Sequence, residues 1–132
     1  MSLLTALRAG VAVADKITKP LQPTVLFRRF LGSDEYGTPT YDPPADQPAR
    51  SMRAIVDWKQ RQVRTLTGEL SVSRAMVLFL DVNEVATATA NEGIGDEDVI
   101  VLPDETTGPI LDMAGFIDAG TGRPLATEVY LG

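Results

Sequence analysis

The sequence contains no cysteine and no histidine, and these absences remove much of the usual catalytic equipment. Without cysteine there is no disulfide scaffold, and nothing suggests an oxidising compartment. Without histidine the commonest general base and the commonest zinc ligand are gone together. With thiolates also missing, neither structural nor catalytic zinc is expected. Aromatic residues are scarce, 6% with a single tryptophan, which leaves little material for base-stacking platforms. Positive charge is in the minority: 12 Lys and Arg against 18 Asp and Glu give a net charge of −6. That sign disfavours broad adhesion to DNA or anionic membrane, while a local basic patch remains open. No paired-carboxylate spacing occurs outside acidic turns, so no enzymatic activity is expected.

What is present reads as one soluble domain. With 132 residues, 44% hydrophobic and 23% charged, and no composition break, a single core is the default. From Ser2 to Lys16 the apolar residues Leu3, Leu7, Val11 and Ala14 recur at three- and four-residue spacing behind a competent N-cap, Ser2, which predicts an amphipathic helix. Its stripe suits packing on its own sheet; packing on a neighbouring subunit is the alternative. Ala12-Val13-Ala14 imitates a signal cleavage site, but no basic residue precedes the apolar part. A membrane span needs about 20 apolar residues, and Arg8, Asp15 and Lys16 intrude. Pro20 and Pro23 end the helix, and Thr24–Leu31 follows as a strand with Val25 and Phe27 on one side. Arg28-Arg29 fits a solvated pair better than a phosphate clamp.

Residues 32–48 hold Pro39, Pro43, Pro44 and Pro48 with Asp34, Glu35, Asp42 and Asp46, a composition that cannot be a central strand. The segment reads as a long Pro-rich loop: an arm that meets a partner, or a flexible insertion. Tyr36 and Tyr41 favour the arm, since amphipathic aromatics bury well at interfaces. On this reading the arm could be shortened at little cost to folding.

Beyond it, Met52, Ala54, Val56 and Trp58 alternate along one predicted strand from Ser51 to Val63. Trp58 reads as a core residue at the strand end, with Lys59, Arg61 and Arg64 solvated beyond it. Thr67-Gly68-Glu69 makes a turn. Leu70–Leu80 makes a second strand, with its continuous apolar end from Ala75 expected to be buried on both faces. Asn83–Asn91 reads as a short strand or irregular edge. Gly93-x-Gly95 lacks the helix a phosphate cradle uses. Asp96, Glu97 and Asp98, with Asp104, form a solvated acidic turn rather than a calcium loop.

The stretch 98–116 organises the remainder. Val99–Leu102, a break at Pro103-Asp104-Glu105, and a resumption at Pro109-Ile110-Leu111 read as a β-hairpin. After a turn at Asp118–Gly122, Pro124–Leu131 supplies a third strand with Leu125, Thr127, Val129 and Leu131 on one face. The predicted fold is mainly β: a small antiparallel β-barrel or sandwich over residues 24–131, with one N-terminal α-helix at 2–16 and the long loop at 32–48.

Asp98–Leu102, Leu102-Pro103-Asp104, Gly108–Leu111, Asp118–Pro124 and Glu128–Gly132 together resemble the C-terminal part of the head-to-tail stopper, or head-completion, proteins of long-tailed bacteriophages. Family members often have Asp-Gly in the first turn. Asp104-Glu105 stands there in this chain, so a wider loop through Gly108 is expected. The resemblance implies a stopper β-barrel in a homo-oligomeric ring, six-fold favoured and twelve-fold possible, in the neck of the virion after assembly in the host cytoplasm. Such a ring sits below portal and adaptor proteins, closes the channel after DNA packaging, and meets a tail terminator or tail tube below. DNA passes without sequence recognition, and neither membrane nor cofactor is involved. The assembly residues expected on this basis are Asp34, Glu35, Tyr36, Tyr41 and Asp42 in the loop, Leu3 and Leu7 on the helix, and Asp104 and Glu105 in the first turn. A tail-side ring of the tail-terminator type and a small nucleic-acid-binding barrel are the alternatives.

Overall fold

The computed structural model of the chain describes residues 3–90, 92–117, 120 and 124–132. Helix α1 (Leu3–Thr18) runs into a 3-10 turn (Lys19–Leu21), where Pro20 and then Pro23 stop helical propagation. The rest comprises β1 (Thr24–Ser33), β2 (Pro39–Asp42), β3 (Arg50–Arg53), β4 (Ile55–Asp57), β5 (Arg61–Arg64), β6 (Leu70–Ser73), β7 (Ala75–Phe79), α2 (Val82–Ala88), β8 (Val99–Val101), β9 (Ile110–Ile117) and β10 (Pro124–Leu131). The fold is mainly β and its ladders are antiparallel.

The strands lie in three sheets. One runs β2-β1-β3 with β8 added to β1, the second runs β4-β7-β10-β9, and the third is the two-stranded ribbon β5-β6. No closed barrel forms among the described residues; the two larger sheets turn their apolar faces into one core. Val25, Phe27, Met52 and Ile100 come from the first sheet, and Ala75, Val77, Phe79, Val129 and Leu131 from the second. Pleat alternation produces this sorting, because every second side chain of a strand points inward.

Two corners connect the layers. At Ala54, fully buried, the N–H donates to the Pro23 carbonyl (3.2 Å), and the chain leaves β3 for β4 in the other sheet. At Arg74 the N–H donates to the Leu131 carbonyl (2.9 Å), and the chain leaves the ribbon for β7. The two long strands expected from the sequence are therefore each divided between sheets. Ala75–Phe79 also alternates, with Met76 and Leu78 only half-buried, so burial on both faces does not occur.

The segment Asn83–Asn91, expected as an edge, instead carries α2. Asp81 caps it: its Oδ1 accepts the N–H groups of Asn83 and Glu84, both at 3.1 Å, satisfying amides that lack helical partners. Its Oδ2 lies 3.2 Å from Lys19 Nζ, tying the end of α1 to the start of α2. Partial burial pushes the Asp81 carboxyl up, but the Glu84 amide and the Lys19 ammonium outweigh it and leave the pKa below the ordinary value. A depressed folded-state pKa means that the stabilisation is present above about pH 4, the unfolded value, and is lost as pH falls through the folded one. Asp81→Ala should thus cost about 1 kcal/mol at neutral pH by loss of the cap. In urea titrations the gap to the parent should close on acidification; a gap independent of pH would remove this role.

The predicted hairpin also changes partners. β8 pairs with β1, Ile100 opposite Phe27, and meets the following segment only through the Val101–Thr107 bridge, while β9 pairs with β10. The turn itself is tight, not wide. Leu102 N–H donates to Thr106 O (2.8 Å), Glu105 N–H donates to Leu102 O (2.9 Å), and Glu105 takes a left-handed φ of 67°. That conformation is the one glycine adopts without cost. In β10, Val129 and Leu131 are buried as expected and Thr127 is half-buried, but a register shift between Pro124 and Ala126 buries Ala126 as well. The Asp118–Gly122 turn lies outside the described residues except for Gly120.

Candidate assembly surface

Part of the Pro-rich loop is paired as a strand. β2 pairs with the far half of β1, Arg29 opposite Asp42 and Phe30 opposite Tyr41, so the chain folds into a hairpin arm. Pro39 opens an edge strand, where the missing N–H leaves no ladder bond unmade. Asp34 shapes the tip: its Oδ1 accepts Tyr36 N–H and Thr38 N–H, both at 2.9 Å, and Gly37 supplies the φ of 78° the turn requires.

At the arm's base, Arg28 is neither solvated nor a phosphate clamp. Its guanidinium donates to the carbonyls of Pro43 (2.9 Å), Pro44 (2.6 Å) and Gln47 (2.8 Å), holding the chain between β2 and β3. Arg50 bridges Asp42 (3.2 Å) and the Ala88 carbonyl (2.8 Å). Tyr41 packs edge-on to Phe30 with ring centroids 5.9 Å apart. Tyr41 and Asp42 therefore hold the arm to the body, and deleting residues 36–41 would strip β2 from β1. The expectation that the arm can be shortened without cost to folding is corrected accordingly. Asp34, Glu35 and Tyr36 are exposed, Tyr36 at 85%.

The remaining expected residues lie elsewhere. Val101 pairs with Leu26, so the turn carrying Asp104 and Glu105 lies toward the N-terminal end of β1, opposite the arm tip. Thr106, through its hydroxyl and its N–H, donates to Asp104 and holds that carboxyl below its ordinary range. Arg74 reaches the same turn, donating to Thr106 Oγ1 (2.7 Å) and, through Nε, to Gly132 O (2.9 Å). The side chains of Leu3 and Leu7 lie outside the described residues. Further along, none of residues 9–18 of α1 is buried; Val13 and Ile17 are exposed, as is Leu21 beyond the helix. On the side of the expected stripe Val11, Asp15 and Thr18 are half-buried, and the helix contacts β10, while Val13 and Ile17 lie on another side of it.

The expected turn at Thr67-Gly68-Glu69 closes a two-stranded ribbon, β5-β6, whose strands run on into their neighbours in the sequence pattern. β5 and β6 place Gln62 opposite Val72 and Arg64 opposite Leu70 on the outer face, with Arg61, Val63, Ser71 and Ser73 on the inner one. Its polarity is inverted. Ser73 is buried, its hydroxyl donating to the Ala75 and Leu131 carbonyls at 3.0 Å, while Leu70 and Val72 are 61% and 59% exposed. Trp58, expected in the core, is 48% exposed next to this ribbon in sequence. The inward alternation continues through Ala54 to Val56, which packs on the core, but β4 ends at Asp57 and leaves Trp58 in the exposed link to β5. Serine repeatedly facing in and aliphatics facing out was the readable signal.

Among the described residues no group of three or more acidic side chains could hold a metal ion. The Asp98 carboxylate, read as part of a solvated turn, is buried and accepts Phe30 N–H (2.8 Å) and Gly95 N–H (2.6 Å). An open groove between β3 and α2 is lined by Arg50, Asp81 and Glu84, but each has a structural partner, Glu84 accepting the Arg53 N–H. No described helix is long and apolar enough to cross a membrane. Compared with family models, curated proteins and solved structures, the chain matches none.

Proposed function

We propose that this chain is a structural subunit of a bacteriophage neck, a head-to-tail stopper that forms a ring below the portal and its adaptor, retains packaged DNA and docks the tail. The observation that carries this reading is the apolar surface left uncovered by the chain's own fold. Val13 and Ile17 are neighbours on one side of α1, and Leu70 and Val72 on one face of the ribbon, all exposed, and adjoining exposed aliphatics of this kind suit contacts with other chains. The stopper-like motif supports it from the sequence side, since its separate pieces meet in space. Gly132 N–H donates to Pro109 O (2.9 Å), and Gly108 packs so closely that a Cβ there would lie 1.9 Å from Gly132 O. Gly108, Pro109 and Gly132 thus form one joint.

Particles made without this protein should be filled heads that leak DNA and carry no tails. Heads that keep their DNA while tails grow to irregular length would favour a tail-terminator role, and normal infectious particles would refute both.

A further inference from the structure

The two unpartnered faces at the ends of the molecule have opposite character. The arm tip carries Asp34, Glu35 and an exposed Tyr36, with no basic residue between Phe30 and Ala49. The ribbon region, residues 58–73, carries Lys59, Arg61 and Arg64 against the single acid Glu69, in a chain of net charge −6. Arg61 is engaged by Asp57 at 2.5 Å, and Arg64 donates to Gly68 O (2.7 Å); Lys59, beside Trp58, and Arg64, opposite Leu70, are the ribbon's cations without a carboxylate partner among the described residues. Strand pairing separates the two faces. The tip extends from the Ser33 end of β1. The ribbon emerges at Arg74, which contacts Thr106, beyond the β8 segment that pairs toward Leu26. Tip and ribbon therefore cannot satisfy each other within one subunit.

We propose that the arm tip of one copy docks on the outer ribbon face of the next copy, Tyr36 lying over Leu70 and Val72, with Asp34 and Glu35 facing Lys59 and Arg64. Such a contact joins two different surfaces and is heterologous, so repetition propagates head to tail and yields a ring wherever the rotation closes. The inference rests on the ring reading above and names the contact that would build it. Aromatic insertion into an aliphatic patch supplies the apolar part of the contact. Charge complementarity fixes its direction, since tip on tip and ribbon on ribbon would both place like charges together.

The absence of cysteine makes the test clean. Tyr36→Cys and Val72→Cys, made as separate variants carrying tags of different mass, are mixed and oxidised. Both positions are exposed, so neither exchange disturbs the core. The mixed tip-to-ribbon disulfide should form in preference to both symmetric products. Glu35→Lys in the first variant should slow it about three- to five-fold, the effect of turning one exposed ion pair into a repulsion, with Asp34 kept because it shapes the tip. Lys59→Glu in the second should restore it. Equal yields of mixed and symmetric products, or indifference to the charge changes, would overturn the contact. A mixed product from a protein absent from phage necks would preserve the contact and remove the neck reading, and a neck ring without that product would do the reverse.

Discussion

Phe79→Ala is expected to destabilise the protein by about 3–5 kcal/mol, against a total of about 5–15 kcal/mol for a domain of this kind. Phe79 is 2% exposed on the inward face of β7, in line with Ala75 and Val77 and opposite Thr127 of β10. Truncation removes the buried ring and leaves a cavity that the second sheet, pinned at the Arg74 corner, can close only in part. The melting temperature should fall by roughly 10–20 °C. Leu78→Ala, one residue away and half-buried, should cost far less. Equal losses at the two positions would mean that the pleat assigned to β7 is wrong.

Asp98→Ala should be the second-largest loss, about 3 kcal/mol, though it removes little apolar surface. Its two carboxylate oxygens accept the N–H groups of Phe30 and Gly95, and bonds to a charged acceptor contribute about 1.5–3 kcal/mol each. Alanine leaves both amides without their partner at the point where β1 passes from the core into the arm. Asp98→Asn should recover only part of the loss, because an amide has one acceptor oxygen where the carboxylate uses two. Hydrogen exchange at the Phe30 amide reports this directly: it should accelerate strongly in Asp98→Ala while the Phe79 amide changes only in step with global stability. An unchanged Phe30 amide would sink the assignment.

These two residues also show where the sequence was legible. The inward placement of Val77 and Phe79, the N-terminal helix and the β10 strand follow from periodicity, because the 3.6 and 2.0 repeats of apolar residues report which face a core covers. Periodicity is blind to a chain that changes sheets. Ala54 and Arg74 look like ordinary strand positions because the inward alternation runs unbroken through both, from Met52 to Val56 and from Ser73 to Phe79, so neither change of sheet leaves a mark; Trp58 lies beyond the end of β4 at Asp57. Asp98 was read as one solvated acid among several because its partners are backbone amides, Gly95 in the same turn and Phe30 far away in sequence, which no side-chain pattern reveals. α2 was legible in principle: Asp81 and Glu84 stand in N-cap and N3 spacing, but the alternation of Val85, Thr87 and Thr89 was given more weight. In the arm, four prolines argued correctly against a central strand and masked an edge strand that starts at one of them. Of the expected assembly residues, Asp34, Glu35 and Tyr36 form the exposed tip, whereas Tyr41 and Asp42 hold the arm to the body and the Asp104–Glu105 turn lies at the opposite end of β1.

The most direct test of the proposed neck role is an electron cryo-microscopy reconstruction of phage particles assembled with this chain, computed at the portal vertex. That role predicts a ring of copies between the portal-adaptor complex and the tail, with the two-sheet body of each copy fitting the density and the arms and ribbons at subunit boundaries. Density at the neck that this fold cannot occupy, or virions from which the chain is absent by mass spectrometry, would contradict it.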